Sequence, residues 1–256
     1  MSATPQRKES LPLQIEPLTG NQLSVKRVGL LDQSFYFLMS LLVAVVVAYG
    51  FGFTVNSRFI HPPSPRPTVL YFHAAIFTGW VVFFIVQSAL IKTRNVKLHR
   101  QLGWFGLAMG IAIPVVGIAT SIAMGRLRMR EGRSDVAQFL IIPFFDMLAF
   151  TVAFGLAFYW RKKPEFHRRL ILIATCSLTA AAFGRFPSFL VPHNWFYAGV
   201  DVLILLGVVR DLVVSKRIHP VYLYGLPLLI FGQTTAVYAF ASSWPVWMRI
   251  AHAMLG

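Results

Sequence analysis

Seven stretches of the chain are apolar over long runs, with charged and polar residues gathered between them. They cover residues 34–54, 68–91, 102–125, 136–160, 170–190, 194–209 and 220–241. A helix crosses the hydrocarbon core of a bilayer with about 20 residues, so each run is of spanning length, the sixth with help from Leu212 to Val214 beyond Arg210 and Asp211. None of the runs alternates polar and apolar positions with a period of two, and lipid tolerates only helices or closed barrels. The pattern therefore predicts an all-α fold, a polytopic transmembrane bundle of seven helices over 34–241. A polar tail, 1–33, precedes it and a short interfacial segment on the outer side, 242–256, follows. Within the second run Trp80 stands at helical spacing from His73, Phe84 and Gln87, a stripe expected to face the bundle interior.

Composition narrows the class. Of 256 residues, 56% are hydrophobic and 13% charged, which excludes a disordered, collagenous or disulfide-stapled chain. The single cysteine, Cys176, lies inside an apolar run and has no intrachain partner. A formal charge of +15 would suggest nucleic acid in a soluble protein. Here the basic residues flank apolar runs, so anionic lipid headgroups are the expected partner and nucleic acid is not.

The side on which those residues fall predicts orientation. The tail, 92–100, 161–169 and 210–217 carry four, four, five and three Lys or Arg, sixteen in all, against eight on the other side. The N-terminus is thus expected in the cytoplasm and the C-terminus outside, with Arg126, Arg128, Arg130 and Arg133 dissenting. The first 30 residues show no short apolar core with a small-residue cleavage site and read as a cytoplasmic tail, not a cleaved signal.

An internal echo carries the most chemical information. Lys97-Leu-His99-Arg100-Gln-Leu-Gly103 opens the third span, and Glu165-Phe-His167-Arg168-Arg169-Leu170 opens the fifth, 68 residues later. Two helices lie between, so both copies return to one face, where His219 of Arg217-Ile-His219-Pro220 opens the seventh span. Cations are unfavourable beside the positive N-terminal end of a helix, so something negative should compensate. One candidate is lipid phosphate, with His and Arg as interfacial anchors. The other is an anionic ligand such as haem, its propionates held by Arg100, Arg168 and Arg169 while His99 and His167 supply axial nitrogens.

Ionisable groups inside spans cost about 2.5 to 3.5 kcal/mol each on insertion scales, so each needs a partner or a task. His73, Asp146, Arg185 and Asp201 all fall in the outer half by depth. Three readings follow: an Arg185 to Asp201 salt bridge, a polar cavity for protons, quinone or a small solute, and a metal held by His73, Asp146 and Asp201. His193 could pair with His73 as a second axial set. Pro143, one turn before Asp146, is expected to kink its helix and open space beside that carboxylate. No nucleotide-binding glycine loop, Ser-His-Asp arrangement or Cys-x-x-Cys is visible, so soluble cofactors find no support.

From about Phe35 onward the chain resembles a family of bacterial seven-helix integral membrane proteins. The resemblance rests on Phe72-His73-Ala-Ala-Ile-Phe-Thr-Gly-Trp80 with Gln87, on Leu98-His99-Arg100-Gln-Leu-Gly103, and on Pro143-Phe-Phe-Asp146. It rests further on His167-Arg168-Arg169-Leu170 with Arg185 and on Arg217-Ile-His219-Pro220. It implies residence in the bacterial cytoplasmic (inner) membrane. At the level of fold the arrangement is also similar to haem-bearing bundles of the cytochrome b561 and haem A synthase kinds, in which histidines on different helices bind haem. That similarity implies a redox role with haem b and quinone, with His99 and His167 as inner ligands and His73 with His193 as an outer pair. The alternative from a different class is a cofactor-free transporter or sensor whose polar core is His73, Gln87, Asp146, Arg185 and Asp201.

Overall fold

Prolines and hydroxyl side chains decide which apolar runs become unbroken helices. A computed structural model of the chain describes residues 20–192 and 195–256, with side chains for 34–57, 59–192 and 195–256. All regular structure among the described residues is helical. In chain order the elements are α1 (Gly20–Val55), a π-helical turn (Asn56–Ile60), α2 (Thr68–Lys92), α3 (Val96–Arg130), α4 (Val136–Phe139) and α5 (Ile141–Tyr159). They continue with α6 (Pro164–Ser177), α7 (Ala180–Phe183), α8 (Phe196–Ser215), α9 (Pro220–Ala241) and α10 (Pro245–Leu255). Among the described residues five segments are long and apolar enough to cross a membrane: Ser34–Val55, Thr68–Lys92, Val96–Arg130, Val136–Tyr159 and Pro220–Ala241.

The boundaries have local causes. Asn95 caps α3 by accepting a hydrogen bond from the Leu98 amide at 3.2 Å, which fixes the helix start one turn before His99. Pro143 cannot donate to the Phe139 carbonyl and its ring crowds that group, which accounts for the break at Leu140 that divides α4 from α5. Pro164 opens α6 at a position where a missing amide costs nothing.

The fifth expected span departs most from the hydropathy reading. Instead of one helix over 170–190, α6 stops at Ser177 after 14 residues, or about 21 Å at 1.5 Å per residue, short of a core about 30 Å thick. Its C-terminal turn is rich in hydroxyls that satisfy local carbonyls: Ser177 Oγ donates to the Ile173 oxygen at 2.9 Å and Thr179 Oγ1 to the Cys176 oxygen at 2.6 Å. Irregular backbone at membrane depth is tolerated where protein covers it, and Thr175, Thr179, Ala180 and Ala182 are all buried. α1 supplies part of that cover at Gly50, where any Cβ would run into the Ala182 backbone.

The core is one buried cluster to which α1, α2, α3 and α5 to α9 all contribute. Trp80 is buried in it, edge-on to Phe150 and Phe154 with centroids 5.4 and 5.6 Å away, and its indole N–H donates to Thr175 Oγ1 at 3.3 Å. Phe84 and Gln87 share its burial, as the stripe on α2 predicted. The glycines of α3 admit side chains and not neighbouring backbones: Gly106 takes Phe83, Gly110 takes Phe154 and Gly117 takes Met147. Phe72, Trp104, Val115, Leu228 and Phe231 remain exposed, an apolar exterior suited to lipid. At the far end α10 lies across α3 and α4, with Ala251 and Leu255 buried, Val246 and Ile250 exposed, and the Trp247 indole donating to the Ala137 oxygen at 3.0 Å.

Candidate functional site

Polar chemistry collects at two depths: the end where α3, α6 and α9 begin, and the half of the bundle nearest α10.

At the first end, the turn after Asn95 carries His99 and the first turn of α6 carries His167. Their ring centroids lie 6.4 Å apart with planes at 79°. His167 Nδ1 is 2.9 Å from the Ala157 carbonyl oxygen, which can only accept, so Nδ1 carries the hydrogen and Nε2 keeps its lone pair. The His99 carbonyl accepts from Gln87 Nε2 at 3.4 Å, while His99 Nδ1 is buried without a hydrogen-bond partner. His219 caps α9, its Nδ1 accepting from the Val221 amide at 3.2 Å. Burial, with the charge of Arg169, holds this imidazole below the usual histidine range, which keeps it an acceptor.

The three arginines expected beside these histidines differ in fate. Arg100 is exposed at the surface. Arg168 meets Glu165 at 2.7 Å and lies 5.4 Å from the Tyr36 ring. Arg169 is corrected as a ligand-facing residue, because its guanidinium is buried and engaged. Nε and Nη2 donate to the two Asp211 oxygens at 2.8 and 2.6 Å, and Nη1 donates to the Glu165 carbonyl and carboxylate at 2.7 and 2.6 Å. Arg210 Nη1 donates to the same Asp211 at 2.7 Å, and the His219 amide donates to it at 3.3 Å.

Sequence reasoning missed Asp211, a wholly buried carboxylate that holds α6, α8 and the start of α9 together. A signal existed: a span carrying Arg169 needs a nearby acid, and Asp211 is the one acid in the sixth run and its extension at the right depth.

The second depth holds the carboxyls. Tyr197, at the start of α8, donates its hydroxyl to Asp146 Oδ1 at 2.8 Å, and both are buried. Asp201, one turn further along α8, faces Gln233 of α9, and its Oδ1 is buried without a hydrogen-bond partner. Arg185 lies elsewhere: Nε donates to Thr54 Oγ1 at 3.2 Å, Nη1 donates to the Ala181 oxygen, and the guanidinium sits 4.3 Å from the Phe51 ring centre. His73 stacks on Phe77 at 3.9 Å, within the field of Arg185.

The expected Arg185 to Asp201 bridge is therefore replaced by two separate groups, Asp146 and Asp201 with Tyr197 and Gln233, and His73 with Arg185. The early end of α6 explains this, since Arg185 sits on irregular chain and not on a helix antiparallel to α8. Gln87 belongs to the histidine end. The metal reading on His73, Asp146 and Asp201 is also corrected, because among the described residues no three His, Cys, Asp or Glu gather closely enough to hold an ion. His193 lies outside the described residues.

Two of the four dissenting arginines, Arg126 and Arg133, have local partners, as does Arg66. Arg66 and Ser64 reach Glu131 at 3.1 and 2.5 Å, and Arg133 chelates Asp135 at 3.0 and 2.8 Å. Arg126 donates to the Met254 carbonyl at 2.8 Å and so ties α3 to α10. The Ser64 hydroxyl, aided by Arg66, holds the Glu131 carboxyl below its usual range. No family model matches the chain, and no curated protein or solved structure matches it either.

Proposed function

We propose that this is a seven-helix integral membrane protein of the bacterial cytoplasmic membrane, N-terminus inside, that binds a b-type haem between His99 and His167 and serves in electron transfer. The charge asymmetry of the chain supports the orientation, and α6 with α7, together with α8, would complete the seven passes. The observation that carries the cofactor is the histidine pair. His99 and His167, whose ring centroids lie 6.4 Å apart, would hold the iron of such a group between them.

The hydrogen bond from His167 Nδ1 to the Ala157 carbonyl supports the same reading, because it fixes the tautomer and leaves Nε2 as the ligating atom. Gln87 fixes the backbone at His99 from the neighbouring helix. Arg100, exposed at the same end, would meet propionates; Arg168 stands there paired with Glu165, and Arg169 is engaged by Asp211. A haem bound there supplies one-electron chemistry at a membrane surface; the chain's part is to hold two neutral imidazoles and exclude water.

The absorption spectrum of detergent-purified protein expressed with added haem tests this. A Soret band with bis-histidine character is expected, lost in both His99→Ala and His167→Ala. Absence of the band, or a band that survives both substitutions, refutes the proposal. Cysteine labelling at positions 95 and 164, in a chain whose Cys176 is buried, tests the orientation separately, with both sites expected to react from the cytoplasmic side.

A further inference from the structure

We propose that Asp146 and Asp201 are two proton-binding groups inside the membrane, each holding a proton as a neutral acid at neutral pH. The pair is independent of the histidine end and stands whether or not a cofactor binds there.

Charge accounting comes first. An ionised carboxylate removed from water needs a cation or several hydrogen-bond donors. Asp146 is nine-tenths buried, and Tyr197 is its one donor among the described residues. Among the described residues the half-buried Asp201 meets the uncharged Gln233, itself buried, and its Oδ1 is an enclosed oxygen with no hydrogen-bond partner. No ion pair reaches either residue among the described residues. The contrast with Asp211, which receives two arginines, shows what this protein does with a buried carboxylate that stays charged.

Among the described residues, the groups that face the two carboxyls add no cation. From α8 come Tyr197 and Asp201 themselves. α9 contributes Gln233, and Phe145 of α5 packs onto the neighbouring Gly232, which brings the two helices close at this level. α3 packs on α5 through Gly117 and Met147, where its own sequence is uncharged. α6 brings His167 and Arg169 to α5 only near Ala157, about three turns from Asp146. Arg185 and His73 form their own group with Thr54 and Phe77. Two carboxyls on different helices, one beside a tyrosine hydroxyl and the other beside an amide, then have the proton as the ligand that fits their charge. Uptake adds a proton from water to one carboxylate oxygen of each residue, and no electron moves.

Infrared spectroscopy of the full-length protein in lipid nanodiscs tests the proposal through the carbonyl stretch of a protonated carboxylic acid, which an ionised carboxylate lacks. At neutral pH the unmodified protein should show this absorption, and carbon-13 labelling of aspartate should shift it. Asp146→Asn and Asp201→Asn should each remove part of it and the double variant all of it. If the variants do not fold, the labelled protein carrying Asp32→Asn decides, since the two other aspartates outside the pair, Asp135 and Asp211, are ion-paired and contribute nothing. No aspartate-derived absorption at neutral pH, or one that survives in the double variant, overturns the proposal.

Discussion

The two ends of this bundle solve the problem of buried charge in opposite ways. Where α6, α8 and α9 meet, Arg169, Asp211, Arg210 and Glu165 form a network in which guanidinium and carboxylate groups face each other at 2.6 to 2.8 Å. Nearer α10, Asp146 and Asp201 are answered, among the described residues, by a hydroxyl and an amide. A network of matched charges is rigid and intolerant of losing one member. A carboxyl among neutral donors can exist in two protonation states, and that freedom suits exchange. Fixed geometry therefore belongs to the histidine end and variable charge to the other.

The sharpest way to break this contrast is at Asp211. Asp211→Ala leaves Arg169 and Arg210 buried without their shared carboxylate and should cost about 3 to 5 kcal/mol, read as thermal or denaturant stability in detergent. Adding Arg169→Gln should recover part of the loss; strictly additive effects would mean that the two groups do not interact. At the other end Tyr197→Phe removes a single neutral donor from Asp146 and should cost about 1 kcal/mol in the same assay.

Asp201→Asn, a near-isostere of the neutral acid, should change stability by less than about 0.5 kcal/mol. A loss approaching that of Asp211→Ala would show that Asp201 works as a charged group. The smallest effect is expected in the loop beyond α3. The Glu131 carboxyl is depressed in the folded state, so its contribution is present above 4.5, its ordinary value, and fades as pH falls through the lower folded value. Glu131→Gln should flatten the acid limb of a stability-versus-pH curve in that window; an unchanged curve would show that its contacts with Ser64 and Arg66 add no pH dependence.

Much of this was legible in the chain itself, and the parts that were not share a cause. Hydropathy located the long apolar runs, and the spacing of Trp80, Phe84 and Gln87 correctly turned that face of α2 inward. The repeated His-Arg entrance, two helices apart, placed His99 and His167 at one end, where their rings are neighbours. What depth along a helix cannot supply is direction around it. Arg185 and Asp201 were matched by depth alone, yet Arg185 turns to Thr54 of α1 and Asp201 to Gln233 of α9. Hydropathy was also blind to the hydroxyls of Thr175, Ser177 and Thr179, which count as mildly polar in a sum but bond to their own turn. Asp211 escaped notice because it sits at the end of a run, where charges are expected to meet water.

The shortness of α6 has a consequence for how the protein is made. A segment of 14 residues that carries Glu165, Arg168 and Arg169 in its first two turns is a poor substrate for insertion by itself, since each central charge weighs about 2.5 to 3.5 kcal/mol against partition into lipid. Arg169 has the Glu165 carboxylate within α6 and gains its buried partner, Asp211, from α8, which is synthesised later. The Arg169 to Asp211 pairing thus ties the placement of α6 to that of α8, so that neither helix settles in its final position without the other.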